Sequence, residues 1–575
     1  MPKVDADRCD GLRRHRPPRS SLFRCTVSPS LRRARARLSF AHRPLMRYRM
    51  AYASTPQAPT PLRFNRAQNG LLRASLCAAM LLLLAGPAAA ADREDATIRT
   101  ALASGLRPTV VPADTGLPHW SLQERMAQHH VPGVAIAVLR DGKLVHSAGY
   151  GTREVGRQAA VNADTLFSVG SVSKVVTAAT SLRLAADGTL ALDQDIATYL
   201  RSWKVPPTVT LPAPHLTLRM LMSHTSGLGV HGFADYLPGE PLPTLLQTLD
   251  GVAPAKNKPV RLIHTPGERG DYSGGGVMVE QLVLEDVTGQ PLDTLARRQV
   301  FEPLHMQRSR FTDPPTTTDN IAKAHDGDGK PTALPRGWQS FPEQGASGLW
   351  TNANDLAAFV AALTASYRGQ GEFLPRPIAT EMMTEVSPSW HGLGPRLDGA
   401  GQTRIFHHGG SNDSYRAWIE GYLETGDGFV ILTNGENGAA LATEIRNALS
   451  DAIGRGVNSA VRTVALDLRE PRYADYAGVF EQDKNVPMAH RRALADIFDV
   501  PALQVKVADG EVRVGVVGTK RDGRVLPVSP NRFVSPDIDG LEIEFHRDAF
   551  GKVDALSVVF GEGRGYYVRR KRDAH

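Results

Sequence analysis

The chain has 575 residues, enough for two or three domains, and its 42% apolar and 22% charged content excludes wholesale disorder. The net charge of +8 is unevenly spread: residues 1–91 hold 17 Lys and Arg against three Asp, a net of +14, so residues 92–575 are net −6. That excludes a basic nucleic-acid face on the body. Because Cys9, Cys25 and Cys77 all precede residue 92, it also excludes disulfides, thiolate metal sites and a cysteine nucleophile beyond that point.

Residues 1–63 are rich in Arg and Pro and lack an apolar period. They read as a disordered extension, or as sequence upstream of a true start at Met46 or Met50. Residues 64–91 have the layout of a secretory signal peptide: Arg66 and Arg73, a charge-free apolar run from 74, then small residues after Gly86-Pro87. Cleavage is expected near Ala90 or Ala91, before Asp92. An uncleaved anchor is the alternative, since the run is just long enough to span a bilayer. The body is expected to be exported, periplasmic or secreted, without a stable membrane span.

Val134 to Leu139, the Arg140-Asp141-Gly142 turn and Leu144 to Tyr150 predict a β-hairpin. Val172, Val175, Val176, Ala179 and Leu182 recur at helical spacing, with Gly188 as a stop. Trp418-Ile419 and Phe429 to Leu432 flank Gly426-Asp427-Gly428 as a second hairpin. Strands at both ends with helices between predict an α+β domain over 115–450, an antiparallel sheet covered by helices. Residues 451–472 read as a helix end and a connector. Beyond it, Val512, Val514, Val516 and Leu541, Ile543, Phe545 alternate, with turns expected at Asp509-Gly510, Asp522-Gly523 and Asp539-Gly540. These predict a small all-β domain, a barrel or sandwich, over 475–572.

Ser171-Val172-Ser173-Lys174 is the one S-x-x-K in the chain, and Ser171 opens the predicted helix. There its Oγ lies at the positive end of the helix, where backbone N–H groups can face a developing oxyanion. Lys174 falls on the same face one turn on, and a desolvated amine there can take the Ser171 proton. Tyr272 precedes Ser273-Gly274-Gly275-Gly276, and a phenol near Lys174 can relay a proton. His408-Gly409-Gly410-Ser411 precedes the second hairpin and can line a substrate groove and offer a backbone N–H. His407 would point away from His408 on a strand, which argues against a metal pair. His224 reads as structural. A G-x-S-x-G elbow and an H-E-x-x-H motif are both absent from the sequence.

Taken in order, Phe167 to Lys174, Leu221 to Leu228, Pro266-Gly267-Glu268 with Tyr272 to Gly276, and His408 to Asn412 resemble the serine β-lactamase-related hydrolases. That group comprises class C β-lactamases, DD-carboxypeptidases, D-aminopeptidases and related esterases. Tyr476 to Phe480 resembles the start of the lipocalin-like β domain often appended to it. The resemblance implies Ser171 as acyl-accepting nucleophile and Lys174 and Tyr272 as general base and acid. It also implies an oxyanion hole from the N–H groups of Ser171 and Ser411, reached across Gly410, and His408 at the place of a substrate-binding lysine. It implies no cofactor and no metal, and a small ester, amide or peptide as substrate. A β-lactamase or DD-carboxypeptidase, or an inactive sensor on the same fold, are the alternatives, and the oligomeric state is left open. Two departures stand out. Gly274 occupies the position of a usual Asn. His408 replaces a permanent cation by a group that titrates near pH 6.5 when unperturbed, so turnover of a carboxylate substrate is expected to rise as pH falls through its pKa.

Overall fold

The computed structural model describes residues 92–211, 213–455, 459–483, 500–519, 522–538, 540–560 and 563–570. The readings of 1–63 as an extension and 64–91 as a signal peptide lie outside the described residues.

Six strands form one antiparallel sheet: β1 (Gly133–Arg140), β2 (Lys143–Gly151), β3 (Arg396–Asp398), β4 (Ile405–Ser411), β5 (Arg416–Tyr422) and β6 (Gly428–Thr433). Their spatial order is β2-β1-β6-β5-β4-β3. The first hairpin is the expected one, with Arg140 opposite Lys143. Strand β1 is apolar at nearly every position because both faces of the sheet are covered. Ala135, Ala137 and Leu139 face the larger core, which includes helices α1 (Val172–Ala186), α2 (Gly274–Thr288) and α3 (Ala353–Arg368). Val134, Ile136 and Val138 face a second core with α4 (Gly438–Ala452) and helical residues 92–104, where Ile98 and Leu102 are buried. The α+β architecture is therefore as expected, with a helix layer on each side of one sheet.

After α4 the chain pairs Val461–Arg462 with Val110–Val111 in parallel and then enters a closed eight-stranded barrel. Its strands are β7 (Gly478–Gln482), β8 (Ala502–Ala508), β9 (Glu511–Val516), β10 (Asp522–Pro527), β11 (Arg532–Val534), β12 (Leu541–Arg547), β13 (Val553–Phe560) and β14 (Gly563–Arg569). Closure comes from β7 pairing with β14. The inside is aromatic: Tyr476, Phe480, Phe533, Phe545 and Tyr567 are all buried, and Tyr476 stacks on Phe545 at 4.2 Å. Asp509-Gly510 makes its expected turn between β8 and β9. Asp522-Gly523 does not: both residues start β10, opposite Gly515 and Val514. The Asp522 carboxylate accepts from Lys506 Nζ on β8 at 2.8 Å and from Arg513 Nε on β9 at 2.9 Å. Those two cations hold a turn-type residue in the ladder.

Candidate functional site

Helix α1 runs from the surface into the larger core, and Ser171 sits at its N-terminus, half-exposed. Its side chain does not cap the helix, so Oγ is left for other work. Ser173 does the anchoring: its Oγ donates to Gly170 O at 2.6 Å and accepts from Leu349 N–H at 2.9 Å. Lys174 is buried, with Nζ 3.0 Å from Ser171 Oγ and donating to Ala346 O at 2.7 Å. Burial holds its pKa below the ordinary lysine value, opposed by the Tyr272 hydroxyl and helped by the Arg396 charge. A buried amine with a depressed pKa, in contact with a serine oxygen, can remove that oxygen's proton.

Tyr272 is buried beside this pair, its ring centre 5.0 Å from Lys174 Nζ. The segment leading into α2 holds it there. Ser273 Oγ accepts from Gly276 N–H at 2.7 Å as the helix N-cap, and Ser273 N–H donates to His224 Nδ1 at 3.2 Å. The His224 ring packs 4.4 Å from Tyr272. His224 thus positions the tyrosine loop.

His408, on β4, is 1% exposed and lies 6.1 Å from the Tyr272 ring. Its neighbour His407 points to the other face and stacks on Trp418 at 4.9 Å. His408 Nδ1 donates to Gly409 O at 2.6 Å, leaving Nε2 as a buried acceptor with no hydrogen-bond partner. Burial, followed by the charges of Arg396, Lys174 and His391, holds its pKa well below the ordinary histidine value. The expectation of a charge that switches near pH 6.5 is therefore corrected. His408 stays neutral at and above that pH, so no rise in turnover from its protonation is expected near pH 6.5. The fixed cation of the site is Arg396 on β3, with its guanidinium 5.3 Å from the Tyr272 ring centre.

Strand β4 and the start of α1 meet at van der Waals range. A Cβ on Gly170 would fall 2.7 Å from Ser411 N, and one on Gly410 would lie 3.3 Å from Ser171 N and overlap Val169 O. Only glycine at both positions lets the Ser171 and Ser411 amides approach one another, the arrangement that an oxyanion hole requires. Gly410→Ala should push the two amides apart and lower kcat/KM for a p-nitrophenyl ester by about 10²–10³-fold, the usual cost of losing one oxyanion donor.

The structure thus gathers Ser171, Lys174, Tyr272, His408, Gly410 and Ser411. It adds residues that sequence reasoning missed: Arg396, His391 (4.5 Å from His224, ring to ring) and His231 (4.9 Å from Tyr272). The signal for Arg396 was weak, since β3 is only three residues long. His391-Gly392-Leu393-Gly394 resembled the other glycine-flanked motifs and was open to notice. Among the described residues no group of three or more His, Cys, Asp or Glu could hold a metal ion, and no helix is long and apolar enough to cross a membrane.

The profile of the beta-lactamase family matches residues 121–452. Penicillin-binding protein 4 of Amycolatopsis lactamdurans is 32% identical over 214 residues, 36% of this chain and 53% of that protein. Protein flp of Staphylococcus aureus is 26% identical, with 39% of its length matched, so the chain spans about half or less of these curated relatives. The D-aminopeptidase of Brucella anthropi is 24% identical over 76% of this chain and 83% of its own length. The crystal structure of SurE superposes with a TM-score of 0.50 at 21% identity, over 78% of this chain and 97% of that one, a likeness of fold. With the family profile matched over more than half of its length, the chain belongs to the beta-lactamase family of serine hydrolases.

Proposed function

We propose that the protein hydrolyses esters and small amides or peptides through an acyl-enzyme on Ser171. The observation that carries this reading is the buried Lys174 amine 3.0 Å from the half-exposed Ser171 Oγ. In the proposed reaction Lys174 takes the Ser171 proton as Oγ bonds to the substrate carbonyl carbon. The Ser171 and Ser411 N–H groups hold the oxyanion. Tyr272 passes the proton to the leaving oxygen or nitrogen as its bond to carbon breaks, and water then repeats the sequence on the acyl-enzyme. The assembly of all these groups argues against an inactive sensor.

Gly274 supports the choice of substrate class. A Cβ there would fall 2.9 Å from Phe233 Cε2 and 3.0 Å from His231 O, so the segment carrying Phe233 fills the space a longer side chain would need. No amide reaches from position 274 toward a penicillin's acylamino group. We therefore expect kcat/KM for p-nitrophenyl acetate to exceed that for nitrocefin by about two- to tenfold, the worth of one neutral hydrogen bond left unmade. Equal or faster nitrocefin turnover contradicts this reading.

A second reading, a carboxypeptidase, draws support from Arg396, a permanent cation that suits a substrate's terminal carboxylate. Loss of turnover on amidating a peptide's C-terminus would favour it.

Export belongs to the same proposal. Its support is the basic, apolar, small-residue series ending at Ala91, together with the packing of helical residues 92–104 on the sheet, which leaves the fold intact after cleavage before Asp92. N-terminal sequencing of the exported protein should begin within a few residues of Asp92, and a start at Met1 or Met46 contradicts it.

A further inference from the structure

Ser411 also lines a cavity of about 550 Å³, together with Asp235, Asp326, Asp413 and Glu436. None of these four carboxylates forms a salt bridge among the described residues. Asp235 Oδ2 accepts from Asp413 N–H at 2.8 Å, and Asp326 Oδ1 accepts from the backbone of Asp328 and Lys330. The one cation in the lining, Arg416, is turned to backbone carbonyls: its Nη1 donates to Tyr415 O at 2.9 Å and to Asn412 O. Four acids therefore face one arginine.

A second, independent feature points to a ligand. Gln339 lines the same cavity, is 4% exposed, and keeps a buried Oε1 without a hydrogen-bond partner. An acceptor desolvated without a partner is costly, and a donor brought by a ligand removes that cost. The aromatic ring of Phe233 completes the wall, a surface that also attracts cations. The carboxylates are too dispersed to chelate a metal ion, which favours an organic cation carrying several N–H donors.

We propose that this cavity is an ammonium subsite, so that the preferred substrates carry a primary amine that docks between Asp235 and Asp413 while the acyl group lies at Ser171. This deepens the hydrolase reading above and rests on it. Recognition depends on pH. Burial raises the pKa of Asp235 to about 7; Asp413 pushes it the same way, while the Asp413 N–H, Arg416 and Lys256 oppose. Glu343, itself raised to about 8 by burial, and the buried Tyr415 phenol are the other titratable groups facing it. Asp235 is thus neutral below pH 7 and anionic above, and selectivity for an amine climbs from pH 6 to 8.

The test compares the p-nitrophenyl ester of 6-aminohexanoate, whose alkyl amine stays protonated to about pH 10, with the ester of heptanoate. The ratio of their kcat/KM values should be about 10- to 100-fold at pH 8, the range of a charge-assisted hydrogen bond. It should fall by about tenfold or more in Asp235→Asn, which should also lose the pH dependence. Asp413→Asn should act in the same direction. A ratio near one at all pH values, or one unmoved in both variants, overturns the subsite. An NMR titration of the intact protein with butylammonium chloride at pH 8 reads the subsite without turnover. Binding that disappears in Asp235→Asn supports it even if fluorophosphonate fails to label Ser171, an outcome that would instead reject the hydrolase reading. Labelling of Ser171 without amine binding rejects the subsite alone.

Discussion

Ser171→Ala should abolish covalent labelling by fluorophosphonate and remove esterase turnover to the limit of detection. The size of the effect follows from geometry. Lys174 Nζ lies 3.0 Å from Ser171 Oγ; its other partners are the Ala346 carbonyl, which has no proton to give, and the hydroxyl of Tyr272, a buried side chain. Ser173, two residues on, cannot substitute, because its Oγ is buried and committed to Gly170 O and Leu349 N–H. Removal of the Ser171 oxygen therefore leaves the base without a nucleophile to activate. The fold should be unaffected, since the Ser171 side chain makes no capping bond for α1. Gel fluorescence after fluorophosphonate treatment checks the labelling, and near-normal turnover by this variant refutes the assignment.

Lys174→Ala should slow acylation by about 10²–10⁴-fold, the range of a general base. The pH profile carries more information than the rate. Burial lowers the Lys174 pKa, so in the parent the amine sheds its proton below the ordinary lysine value of about 10.4. Acylation should rise with pH as the amine becomes neutral and then level off. On the acid side the protonated amine cannot accept the Ser171 proton, and a neutral His408 adds no compensating rise. In Lys174→Ala the ascending limb should vanish. Lys174→Arg should be as slow as alanine, since a guanidinium keeps its proton at any working pH. Combined Lys174 and Tyr272 changes should cost less than the sum of the singles, because the two act on one proton.

What was legible in the sequence was what is local. The apolar spacing from Val172 to Leu182 marked helix α1, and with it the one-turn relation between Ser171 and Lys174. The apolar run of β1 with its Asp-Gly turn, and the alternation in the tail, marked a sheet and a β domain. What failed was set by contacts distant in sequence. Asp522-Gly523 has turn chemistry, yet Asp522 lies in β10, where Lys506 on β8 and Arg513 on β9 both donate to it. His408 was read as preceding the second hairpin and lies on β4, but its ionisation depends on burial and on Arg396, Lys174 and His391, three residues from two other segments. Gly274 was noticed as a departure, whereas its cause, the approach of Phe233 and His231, lies in a loop some forty residues earlier. The acidic cavity at Asp235, Asp326, Asp413 and Glu436 is assembled from four separate stretches and has no signature in any one of them.

The most direct measurement is peptide mass mapping of the parent protein after reaction with a fluorophosphonate probe, at pH values on both sides of the Lys174 titration. The account predicts one adduct, on Ser171, forming faster once Lys174 is neutral. An adduct on any other residue, or none under conditions where the protein turns over esters, would contradict it.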